Sequence, residues 1–148
     1  MRVFKLYGSQ ERLFEMMRRV NNLNESILPK EKKDEVINQF ITYSKEKLEL
    51  GDNLPSIKIS YDEKEASGMK SFGKYTPDSN ELLVVAANRN LADVLRTLAH
   101  ELVHCMQRMK GLLKKDSSDT GSDIENEANA LAGVLLREFG QQNPIIFE

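Results

Sequence analysis

At 148 residues, 40% of them hydrophobic and 30% charged, the chain can bury one sizeable core and has the composition of an ordinary globular domain. A formal net charge of −2 gives no basic field to attract nucleic acid, and no apolar run reaches spanning length, so neither nucleic acid nor a membrane is expected as a partner. Cys105, the single cysteine, excludes an intramolecular disulfide, and with no signal-peptide pattern at the start a cytoplasmic setting is expected.

Residues 10–23 set Leu13, Phe14, Met16, Met17, Val20 and Leu23 among Arg and Glu, which predicts a short amphipathic helix. Pro29 opens a second helix, expected to run to about Leu50 with Val36, Ile37, Phe40, Ile41 and Leu48 on its apolar face and to stop at Gly51-Asp52-Asn53. Residues 57–61 alternate as a strand. Residues 72–76 and 81–86 predict two more, joined through Pro77-Asp78-Ser79-Asn80 as a hairpin. Asn90 then reads as a capping side chain before a helix in which Leu91, Val94, Leu95, Leu98 and Leu102 recur at helical spacing, with Gly111 as its stop signal. A polar loop over 114–121 leads to a last helix through about Phe139, and Pro144 marks a short tail. The fold class is therefore α+β in a single domain over 1–148. Its parts are an N-terminal helical portion (1–50) and a core (55–140) with a small three-stranded sheet, mixed or antiparallel, and two long helices.

Both histidines fall inside His100-Glu101-Leu102-Val103-His104. On a helix His100 and His104 sit one turn apart on one face, so both imidazoles can reach one metal ion. Glu101, rotated about 100° from His100, can face a water on that metal without ligating it. A catalytic zinc takes three protein ligands and keeps one position open. No third histidine exists, and Lys110 stands where the metzincin pattern has its last one, so the remaining option is a carboxylate from a later helix. Residues 123–132 are the good candidate. Glu125 and Asn129 are four apart on one face, Ala128 and Ala132 allow close approach, and Asn129 can hold a ligand histidine. Periodicity does not separate Glu125 from Glu127, which flank the stripe of Ile124, Ala128, Leu131 and Leu135 on opposite sides. Ser122-x-x-Glu125 is also a capping box, which would fold Glu125 back onto the backbone, whereas a start at Thr120-x-x-Asp123 would free it. Cys105, about 100° from His104, reads as a buried structural thiol.

Ala99-His-Glu-Leu-Val-His104 followed by Glu125-Asn-Glu-Ala-Asn-Ala-Leu-Ala132 resembles the gluzincin metallopeptidases, most closely the small ImmA/IrrE-type group, over roughly residues 57–136. That group pairs an HExxH helix with a later helix of the form Glu-x-Glu-Ala-Asn. In the wider gluzincin pattern the first glutamate of Glu-x-x-x-Asp is the third ligand, and the last residue braces a histidine. The resemblance thus implies a zincin-like fold, Zn2+ held by His100, His104 and Glu125, Asn129 as the brace, and peptide-bond hydrolysis with Glu101 as general base. The group's Leu-Leu-Met-Pro ending is Leu135-Leu136-Arg137-Glu138 here, and no helix-turn-helix segment of the kind such proteins often carry is found. Residues 12–25 are similar to leader segments of some tailed-phage proteins, which would place the chain in a host cytoplasm or a virion. Taken by themselves those residues read as a surface helix packing on the core.

A protein or peptide substrate would lie extended along an edge strand of the 72–86 hairpin. Many gluzincins stabilise the tetrahedral oxyanion with a Tyr or His after the third ligand; none follows residue 104 here, which leaves Tyr75 or Arg89. Two readings stand beside the peptidase. One is a non-catalytic regulatory or phage assembly protein that uses the zinc fold to bind a protein partner. The other is a helical interaction module with no metal.

Overall fold

The computed structural model describes residues 28–67, 71–113 and 122–147, and the helix expected over 10–23 lies outside them. Helix α1, Lys30–Lys47, starts at Pro29, whose carbonyl accepts from the Lys32 and Lys33 N–H groups at 3.0 Å. It buries Val36, Ile37 and Phe40. The helix stops short of the expected Leu50. Leu50 N–H donates to the Lys45 carbonyl (3.0 Å) and Glu49 N–H to that of Glu46 (3.2 Å), the paired bonds of a Schellman stop. The residue that turns left-handed is Glu49, at φ 55°, and the fully buried Leu50 beyond it supplies the apolar contact. That conformation disfavours a Cβ by roughly 1–2 kcal/mol, part of which glycine returns through its greater freedom when unfolded. Glu49→Gly is therefore expected to raise stability by up to about 1 kcal/mol in urea denaturation. A lowered midpoint would show that the Glu49 side chain holds the cap.

A 3-10 turn at Gly51–Asn53 leads into β1 (Ser56–Ser60), and a short helix α2 (Glu63–Ser67) follows. Nothing predicted α2, because five residues carry no readable period. Strands β2 (Gly73–Thr76) and β3 (Glu81–Val85) form the expected hairpin, with Tyr75 opposite Leu82, while β1 runs parallel to β3 with Ile59 opposite Val84. The order β1-β3-β2 makes the sheet mixed and leaves β2 on an edge. Asn80 takes φ 52° at the hairpin turn, as asparagine tolerates, and ties three segments together. Its carbonyl accepts from Ser56 N–H, its side-chain amide donates to the Asn53 carbonyl, and its Oδ1 accepts from the Tyr75 hydroxyl at 2.6 Å.

Helix α3, Leu91–Met109, runs through the core and meets α1, β2, β3 and the last helix. Leu95, Leu98 and Leu102 are fully buried, each stabilising the fold by about 1.5–3 kcal/mol. Asn90 is the N-cap by its carbonyl, which accepts from Val94 N–H at 3.0 Å; contrary to expectation its side chain makes no cap bond. Gly111 ends the helix as expected, at φ 72°, with Leu112 N–H on the Gln107 carbonyl at 2.8 Å. Helix α4, Asp123–Gln142, extends three residues past the expected end and packs on the core through Ala128, Ala132, Leu135, Leu136 and Phe139. The Phe139 ring meets Phe40 edge-on at 5.0 Å. A 3-10 turn over Pro144–Phe147 closes the described chain. The architecture is α+β, with four α-helices among the described residues and a three-stranded sheet. None of these helices is long and apolar enough to cross a membrane.

Candidate metal centre

One turn of α3 brings the His100 and His104 rings to 4.7 Å between centroids, with their Nε2 atoms 3.1 Å apart. Helix α4 lays Glu125 against both: Oε1 is 2.9 Å from His104 Nε2 and Oε2 is 3.2 Å from His100 Nε2. Donor atoms of the three residues lie within 4.8 Å of one another, a group that can hold a metal ion. Donors around a tetrahedral zinc at 2.0–2.1 Å stand roughly 3.3 Å apart. The observed spacings fall a few tenths of an ångström short of that, so small outward shifts would admit an ion. Two imidazoles and a carboxylate are also a donor set suited to zinc.

Periodicity left Glu125 and Glu127 equivalent, and the way α4 meets α3 puts Glu125, the residue the resemblance implied, beside the histidines. Ser122 is the N-cap and its hydroxyl oxygen accepts from Glu125 N–H at 3.2 Å, so the helix starts where the capping box put it. The backbone of Glu125 serves the cap while its carboxylate reaches the imidazoles, and the two roles do not compete. Glu127, two residues on, faces another way and accepts from Gln107 Nε2 at 2.8 Å. Thr120 lies outside the described residues.

Asn129 comes up beside His100, as its spacing from Glu125 suggested. Burial and then the adjacent His104 hold the His100 pKa below its ordinary value, while Glu125 and Asn129 oppose that shift. Glu101 is buried one position along α3, and its carboxyl is pushed up to about 7 by burial and then by the charge of Glu125. The Tyr75 backbone acts the other way, as would a cation among the ligands. The Glu101 side chain lodges between α3 and the edge strand. A Cβ at Gly73 would stand 2.6 Å from Thr97 Cγ2 and 3.1 Å from Glu101 Oε2, so this approach requires glycine.

Neither residue expected to meet an oxyanion has a free side chain. The Tyr75 hydroxyl donates to Asn80 Oδ1, and Arg89 donates to the Val85 and Asp93 carbonyls and to Thr97 Oγ1 at 2.8–3.1 Å. The Arg89 guanidinium also lies 4.1 Å over the Phe72 ring. Cys105 is fully buried, its thiol donating to the Asn53 carbonyl at 3.3 Å, and burial pushes its pKa up.

Sequence reasoning missed Gln107. Its side chain is fully buried, with Oε1 2.7 Å from His104 Nδ1, and its Nε2 donates to the Ile124 carbonyl at 3.0 Å as well as to Glu127. The one available signal was its place three residues after His104, on the same helix face.

No family model, curated protein or solved structure matches the chain.

Proposed function

We propose that the chain is a zinc-dependent peptide hydrolase of the gluzincin type, with a zincin-like arrangement of sheet and helices. The observation that carries this reading is the convergence of His100, His104 and Glu125 with a further buried carboxylate, Glu101, on the adjoining position of the helix. A zinc ion held there supplies Lewis acidity, lowering the pKa of water toward about 7 and polarising a peptide carbonyl. Glu101 takes the proton of the attacking water and delivers it to the leaving amine. Asn129, beside His100, would brace that ring. Strand β2, at the sheet edge and in contact with Glu101 through Gly73, offers backbone partners to an extended peptide.

Chelator-treated protein, titrated with Zn2+ and washed, is expected to retain about one ion per chain by elemental analysis. The loaded protein is expected to cleave members of a mixed peptide library, with cleavage read by mass spectrometry and lost on chelation. Protein that retains no ion would sink the proposal.

The engagement of Tyr75 and Arg89 favours a second reading, a regulatory or assembly protein that uses the same ligands to bind a protein partner. Such a protein would retain zinc, cleave nothing in the library, and bind its partner equally well as Glu101→Gln.

A further inference from the structure

Every hydrogen-bonding group on the buried Gln107 amide has a partner, and those partners decide which end of the amide is which. The Ile124 carbonyl and the Glu127 carboxylate are acceptors, so the NH2 end faces them. That leaves Oε1 toward His104 Nδ1 at 2.7 Å. An amide oxygen can only accept, so Nδ1 carries the proton. Neutral His104 then has its lone pair on Nε2, the atom that faces His100 and Glu125.

We propose that Gln107 is a positioning residue that fixes His104 as the Nδ1–H tautomer and ties it to the first turn of α4. The inference rests on the metal-site reading above. Ile124 directly precedes Glu125, so the bond from Gln107 Nε2 to the Ile124 carbonyl anchors the backbone that delivers the third ligand. One side chain therefore sets both the ligating nitrogen of His104 and the placement of Glu125. Glu127 completes the relay by giving the amide a second acceptor, which holds its orientation against a flip. His104 is thus secured from α4 through Gln107.

The test uses the full chain, metal-free and Zn2+-loaded. Long-range 1H–15N NMR reads the His104 tautomer, and competition with a chromogenic chelator reads Zn2+ affinity. Wild type is expected to show Nδ1–H in both states. Gln107→Leu, similar in size but without an amide, is expected to bind Zn2+ roughly 10- to 100-fold more weakly and to lose the single tautomer in the metal-free state. Gln107→Glu keeps an acceptor for Nδ1–H and is expected to restore the tautomer. A neutral wild-type His104 with its proton on Nε2, or a Gln107→Leu variant with undiminished affinity, would overturn the proposal. If Gln107→Leu does not fold, the wild-type spectrum and Gln107→Glu still decide. A wild type that binds no Zn2+ instead removes the hydrolase reading, while the metal-free tautomer continues to report on Gln107.

Discussion

Glu125→Ala is expected to empty the chain of metal, and Glu127→Ala to leave it loaded. The two carboxylates are two residues apart and chemically alike, so the pair isolates geometry from charge. Glu125 touches both imidazoles at 2.9 and 3.2 Å, whereas Glu127 meets the Gln107 amide. Removing Glu125 takes away one of three ligands, which should cost more affinity than the roughly 10- to 100-fold typical of groups that merely orient a ligand. Glu127→Ala removes one acceptor from Gln107 while the Ile124 carbonyl still holds the amide, so its loss should fall at the low end of that range. Elemental analysis after dialysis reads the result directly. Metal kept in the first variant and lost in the second would move the site.

Glu101→Gln is expected to keep the metal and lose turnover. Glutamine has the size and hydrogen-bonding reach of glutamate but cannot take a proton from water. Because Glu101 is not among the ligand cluster, zinc stoichiometry should be unchanged. General-base catalysis typically contributes about 10²–10⁴-fold, and the rate on any cleaved library peptide should fall by that order. Folding should survive, since the substitution replaces a buried carboxyl beside Glu125 with a neutral amide of the same size, without changing the close packing on Gly73. Hydrolysis at the wild-type rate in this variant would take Glu101 out of the reaction.

Helix α3 and its two histidines were legible because several signals coincide over one stretch: a leucine stripe, a glycine stop and ligand spacing on the remaining face. The hairpin was legible through its turn residues and the apolar run that follows them. The end of α1 was not, because the left-handed position is taken by Glu49, while Gly51, which does look like a stop, serves the next turn. The side chain of Asn90 misled for a related reason: a residue can occupy the cap position by backbone alone. Within α4 only the likeness to the Glu-x-Glu-Ala-Asn pattern, and no physical property of the helix, favoured Glu125 over Glu127. The answer depends on how α4 crosses α3, a non-local fact that helical periodicity does not contain. Gln107 belongs to the same class, since a buried glutamine has no motif and its meaning depends on the Ile124 carbonyl across the interface.

With an ion in place, the site is also a cross-link. Two of its ligands come from α3 and one from α4, so the metal would fasten a loop of about 20 residues between His104 and Glu125. In chain-entropy terms that resembles a disulfide closing a loop of this length, worth about 3 kcal/mol by restricting the unfolded chain. Cys105 cannot supply such a staple, being the only thiol. The stability of this small domain would then follow the free zinc concentration, and withdrawal of the ion would loosen the helix pair that holds it.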